Sequence, residues 1–157
     1  MRLARVRRLV FVVNYAAVLW ASVLPGSLPL PRLCRLVGAT GLFASLSLAA
    51  AVHRLFPERH EKPSDFPRLL TEGPYSVVRH PFYLCIILSD LFLALYSLSP
   101  WALVVTAALV PLWWAIIRLE ERELLEWWGR DDEEYMKRVP ALVPRPWRRT
   151  RGPTAGP

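Results

Sequence analysis

Apolar residues in this chain gather in four blocks almost free of charge, and the charged residues crowd between the blocks. The blocks run from about Leu9 to Leu24, from Leu36 to Val52, from Tyr83 to Leu98 and from Trp101 to Ile117. A soluble domain would spread its apolar residues at helix or strand periods instead. Each block is short against the ~20 residues that a perpendicular membrane span needs. Flanking Arg and Trp residues can snorkel or rest at the headgroups, which extends the reach of a short block. The pattern predicts an all-α fold, a polytopic membrane helix bundle of about four transmembrane helices. After Ile117, Leu124, Leu125 and Trp128 fall on one face, which predicts a C-terminal interfacial helix. The helical domain is expected over residues 1–146. Residues 147–157 form a basic, Pro/Gly-rich tail that is expected to be disordered, with an affinity for anionic lipid.

Charge then orients the bundle. The chain has 157 residues, 54% of them hydrophobic, with 20 Lys and Arg against 13 Asp and Glu. A net charge of +7 is compatible with nucleic acid, but the basic residues flank apolar blocks rather than lining a soluble face. A membrane surface is the better partner, and no nucleic acid is expected. Four Arg precede the first block, Arg54, Arg59, Lys62, Arg68 and Arg79 lie between the second and third, and nine Lys or Arg follow from Arg118 onward. The other two connections hold only Arg32 and Arg35. By the positive-inside rule, both termini and the central loop face the cytosol, in a multi-pass protein of the cytoplasmic membrane. The basic start and "ASVLPGS" also suit a signal peptide, but the further spans favour an uncleaved anchor.

Cysteines and histidines add little. Cys34 and Cys85 fall at opposite ends of this topology, so no disulfide is expected. His53, His60 and His80 match no common metal-ligand spacing, and no metal is expected.

The informative region is where polar groups meet the spans. Only "SLSP" and its neighbours separate the third and fourth blocks, so these two helices must be antiparallel neighbours. The start of one and the end of the other then return to the same interface. The first carries Arg79, His80 and Tyr83, and the second carries Arg118, Glu120 and Glu121. Pro81 suits a first helical turn, where its missing N–H costs nothing. A plain helix anchor at the headgroups, with Glu120 to Glu123 as a solvated face, reads these residues about as well as a site does. Complementary charge beside aromatics, at a boundary between water and lipid, suits an amphiphilic reaction. Asp90, inside the third block, is either functional or bonded to Asn14 or a nearby Ser.

The stretch "GPYSVVRHPFY", a helical hairpin, and then "EERELLEWWGRDDEEYMKRVPALVP" resembles the isoprenylcysteine carboxyl methyltransferase and phospholipid methyltransferase superfamily. The family pattern reads roughly G-x-Y-x-x-x-R-H-P-x-Y, a hairpin, then E-E-x-x-L-x-x-x-F-G-x-x-Y-x-x-Y-x-x-R-V-P. The likeness covers residues 71–144, about half the chain, within a catalytic core of about 60–144. It implies an integral-membrane methyltransferase that uses S-adenosylmethionine in a pocket near the cytosolic face. By position, the cofactor-lining residues it implies are Arg68, Leu69, Leu70, Tyr75, His80, Pro81, Phe82, Tyr83 and Glu120, with Arg79 as electrostatic support.

The residue chemistry agrees with those roles. Glu120 suits an ammonium or hydroxyls, His80 and Arg79 suit a carboxylate, and Tyr75 and Tyr83 suit a sulfonium. A carboxylate acceptor needs no general base, whereas an amine or hydroxyl would use His80, Glu120 or Glu121. The family often has an Arg, associated with the acceptor, four residues before the first Glu; here that position is Ile116, and Arg118 is the candidate to replace it from another helix face. Cys85 stands where a small Gly is common. The acceptor stays open between a lipid head group, a small prenylated compound and an isoprenoid thiol acid, as does the oligomeric state. Two other classes remain in play. One is an NADPH-dependent reductase of the sterol-reductase type, whose motif usually reads RHPNY where this chain has Phe82. The other is a non-catalytic bundle that binds lipid.

Overall fold

The structure, a computed structural model, describes residues 2–55 and 63–144. The expected tail from residue 147, the end of the domain at 145–146, His60 and the start of the expected core lie outside the described residues. Among the described residues there are five α-helices and no strand: α1 (Arg2–Val23), α2 (Arg32–His53), α3 (Pro81–Ser97), α4 (Pro100–Trp128) and α5 (Arg130–Arg138). Two single 3-10 turns, Pro63–Asp65 and Gly73–Ser76, lie between α2 and α3.

Local chemistry sets the breaks. The hairpin between α3 and α4 turns at Leu98, which takes a left-handed conformation (φ 55°). Ser99 then caps α4, its Oγ accepting from the Ala102 N–H at 3.2 Å, and Pro100 opens the first turn. The same hydroxyl donates to the Ala21 carbonyl at 2.8 Å, which ties the hairpin to the end of α1. Gly129 (φ 57°) ends α4. Acids in the first turn and Lys137 and Arg138 in the last turn suit the dipole of α5.

One expectation changes here. The helical bundle with a further C-terminal helix stands, but that helix is α5, and the run after Ile117 continues α4, which is unbroken for 29 residues to Trp128. No Gly or Pro intervenes between Ile117 and Trp128, so nothing stops the helix before Gly129. Pro111 lies inside α4 and is accommodated, as prolines are in membrane helices.

α1 from Ala4, α2 and α4 are long and apolar enough to cross a membrane, while α3 is an apolar helix of 17 residues. α3 touches all three of the others, so neighbouring helices cover much of it where the others present Val12, Trp20, Phe43, Val104 and Trp114 outward. Against α2 it packs closely: a Cβ added at Gly38 would stand 2.5 Å from the Tyr96 backbone nitrogen, and one at Gly41 would meet the Phe92 ring. Small residues let backbones approach in this way. Between α1, α3 and α4, Asn14 donates to Asp90 at 3.2 Å and accepts from the Trp113 indole at 3.0 Å. Asp90 thus has the Asn14 partner that was one of its two readings. Cys34 and Cys85 are both free thiols.

Candidate active site

One end of the bundle gathers the start of α1, the end of α2, the start of α3 and the end of α4. The approach to α3 is shaped by backbone pairing, because the Arg79 N–H donates to the Pro140 carbonyl at 2.8 Å and the His80 N–H to Ala141 at 3.0 Å. The "RHP" and "RVPA" segments therefore lie side by side. Tyr135 adds a tie of 2.6 Å from its hydroxyl to the Tyr75 carbonyl.

Arg79 is the hub of this end. Its Nε and Nη2 both donate to Glu121 Oε1, the first at 3.1 Å. Its Nη1 donates to the carbonyls of Met136 at 3.0 Å and Val139 at 2.6 Å, at the C-terminus of α5. A planar fork with five N–H groups can bridge a carboxylate and a helix end at once. Glu121 also meets His80 Nε2 at 3.3 Å and Arg118 at 3.1 Å. The neighbouring acid faces elsewhere: Glu120 accepts from the Tyr83 hydroxyl at 2.7 Å and from Arg7 of α1 at 3.2 Å.

Around these groups lies a cavity of about 1070 Å³. Its polar lining includes His80, Glu120, Glu121 and Asp132, and its apolar lining includes Phe11, Phe66, Leu69 and Leu124. Phe11 stands 4.9 Å from Trp113 and 5.5 Å from Phe82 between ring centroids, so aromatic rings close the side toward the bundle core. Burial raises the Tyr75 and Tyr135 hydroxyl pKa values, which keeps both as neutral donors, and it also raises that of the Asp132 carboxyl. Asp132 is only 2% exposed, and its Oδ2 has no hydrogen-bond partner among the described residues. Among the described residues no three His, Cys, Asp or Glu side chains gather so as to hold a metal ion.

Of the residues singled out in the sequence, the cavity brings together Leu69, Leu70, Tyr75, Arg79, His80, Phe82, Tyr83 and Glu120. Pro81 is buried in the first turn of α3 and lies outside the lining. Arg68 pairs with Glu72 at the surface, 70% exposed, and Arg118 touches Glu121 from outside with a side chain 58% exposed. Ile116 is buried in the core with Trp113 and Ile117. The cation beside Glu120 is therefore Arg7 of α1 rather than a residue of α4. Sequence reasoning missed Arg7, Phe11, His53, Asp132, Tyr135 and Met136 as lining residues. Arg7 and Phe11 share one face of α1, but nothing in the sequence says which helix that face meets.

Comparison with known proteins follows this geometry. Residues 37–131 match a family described as phospholipid methyltransferase. The cobalt-zinc-cadmium resistance protein CzcN of Cupriavidus metallidurans is 41% identical over 81 residues, covering 49% of this chain. The match takes in 36% of that protein, so the chain spans about a third of its length. No solved structure matches.

Proposed function

The chain belongs to the phospholipid methyltransferase family, and from that premise we propose that it transfers a methyl group from S-adenosylmethionine to a lipophilic acceptor at the cytosolic face of the membrane. The observation that carries this reading is the convergence of Tyr83–Glu120 and His80–Glu121 on one cavity walled by aromatic and aliphatic side chains. Such a cavity suits a polar cofactor and an apolar acceptor together, because it joins four charged or polar groups to a hydrophobic wall from α1.

When bound, S-adenosylmethionine supplies an electrophilic methyl group on a sulfonium. The residues present fit that group: Tyr75 and Tyr83 offer aromatic faces to a cation, and the buried Asp132 carboxylate has an unfilled acceptor. His80 is the side chain at hand to take a proton from an amine or hydroxyl acceptor, with Glu121 orienting its ring at 3.3 Å. A carboxylate acceptor needs no base. Phe11, Val12 and Phe82 form the apolar wall for its chain and keep water away from the reacting groups. The acceptor class proposed is an isoprenylcysteine-like carboxylate or a lipid head group.

Purified protein in detergent provides the test, by calorimetric titration with S-adenosylmethionine and, separately, NADPH, alongside His80→Ala and Glu120→Ala. The expected result is binding of S-adenosylmethionine alone, weakened by about tenfold or more in each variant, the loss of one charge-assisted hydrogen bond. A wild type that binds NADPH, or that matches both variants with no S-adenosylmethionine bound, overturns the reading.

A further inference from the structure

We propose that Asp132 is the anionic subsite that receives the ammonium group of the cofactor's amino-acid tail. This rests on the reading of the cavity as an S-adenosylmethionine site. Four acids line the cavity, Asp65, Glu120, Glu121 and Asp132, and hydrogen bonds separate the last three. Glu121 accepts from Arg79, His80 and Arg118. Glu120 accepts on Oε1 from Arg7 and on Oε2 from Tyr83. Only Asp132 has a buried oxygen, Oδ2, with no donor among the described residues. Buried polar atoms are nearly always partnered, so an orphan acceptor on a residue that lines the cavity points to a ligand that brings a donor.

The surroundings specify which donor. Asp132 stands in the field of Arg79, Glu121 and His80. The ammonium of a zwitterion needs an anion and its carboxylate needs cationic donors, and Asp132 supplies the anion in a cavity that Arg7 and Arg8 also line. Arg79 is less available for the carboxylate, because its N–H groups already serve Glu121 and two carbonyls of the α5 end. The assignment moves the ammonium from Glu120, where residue chemistry alone places it, to Asp132. In the family pattern quoted above, Asp132 also occupies a Tyr position, so this subsite is a feature of the present chain.

The test compares two ligands on two proteins. S-adenosylhomocysteine carries the amino-acid tail, and 5′-methylthioadenosine has the same nucleoside without it. Titrated into wild type and Asp132→Asn in detergent, S-adenosylhomocysteine should bind the variant about ten- to hundredfold more weakly, with 5′-methylthioadenosine unchanged. The nucleoside arm also reports whether the variant is folded. Equal loss for both ligands, or no loss for either, overturns the assignment. A wild type that binds neither ligand overturns the cofactor reading itself. Should Asp132→Asn fail to fold, the deamino analogue of S-adenosylhomocysteine is titrated into wild type. A loss of about tenfold or more against the parent supports the assignment, and equal affinity overturns it.

Discussion

The two ends of α3 are held by opposite means. Toward its C-terminus α3 lies against α2 through Gly38 and Gly41, with the Tyr96 backbone filling the space a Cβ would take at Gly38 and the Phe92 ring filling it at Gly41. At its N-terminus Arg79, His80 and Tyr83 reach α4 and α5 through hydrogen bonds and leave a cavity of about 1070 Å³. The seam gains stability from contact, while the site gives up contact to keep room and must hold its walls by charge. Damage at the two ends should therefore look different.

The largest effect is expected at the charged end. Arg79→Ala strips Glu121 of its main partner and frees the α5 end at Met136 and Val139. Breaking a buried ion pair costs about 3–5 kcal/mol. Thermal melting followed by tryptophan fluorescence in detergent should show a strong drop, and cofactor binding should fall with it. Arg79→Lys should recover little, because an ammonium cannot span a carboxylate and two carbonyls as a planar fork does. A lysine variant with wild-type melting would break the account of Arg79 as a clamp.

The seam comes next. Gly38→Val puts side-chain atoms into the Tyr96 backbone, and overpacking of this kind costs about 1–3 kcal/mol. Gly41→Val should cost less, since the obstruction there is the Phe92 ring, which can swing. The contrast with Arg79 sharpens in the second readout. Protein that survives Gly38→Val should still bind S-adenosylhomocysteine with near-wild-type affinity. Equal loss of melting temperature and binding would mean that the two ends are one cooperative unit.

The same contrast explains what could be read in advance. The α3–α4 hairpin was legible because "SLSP" leaves no other arrangement, and with it the approach of Arg79, His80 and Tyr83 to Arg118, Glu120 and Glu121, though not which side chain meets which. The small residues of α2 were legible as a span, but their place against Phe92 and Tyr96 depends on which helix lies beside them. No loop length dictates that α1 lies across α4, so Arg7 and Phe11 could not be placed at the site. Asp132 sits in a strongly polar helix and reads as solvated. It is buried where Arg79 holds the α5 end and Tyr135 bonds the Tyr75 carbonyl, contacts that its own sequence neighbourhood does not announce. The continuation of α4 past Ile117 was hidden by the change from apolar to charged residues, which alters the solvent around a helix without ending it.

The smallest effect is expected at Arg118, and it tests where the charged end stops. Arg118 bonds the same carboxylate as Arg79, at 3.1 Å, from one helical turn away on α4. Its side chain is 58% exposed and absent from the cavity lining, whereas that of Arg79 is 11% exposed. An exposed ion pair contributes only about 0–1 kcal/mol, because water and salt screen it. Arg118→Ala should therefore shift the melting temperature by a few degrees at most, and the shift should shrink further at high salt, where the Arg79 pair persists. S-adenosylhomocysteine affinity should change by less than about threefold, the equivalent of a few tenths of a kcal/mol. A loss as large as that of Arg79→Ala would place Arg118 inside the working site and return to it the acceptor-binding role that Ile116 leaves vacant.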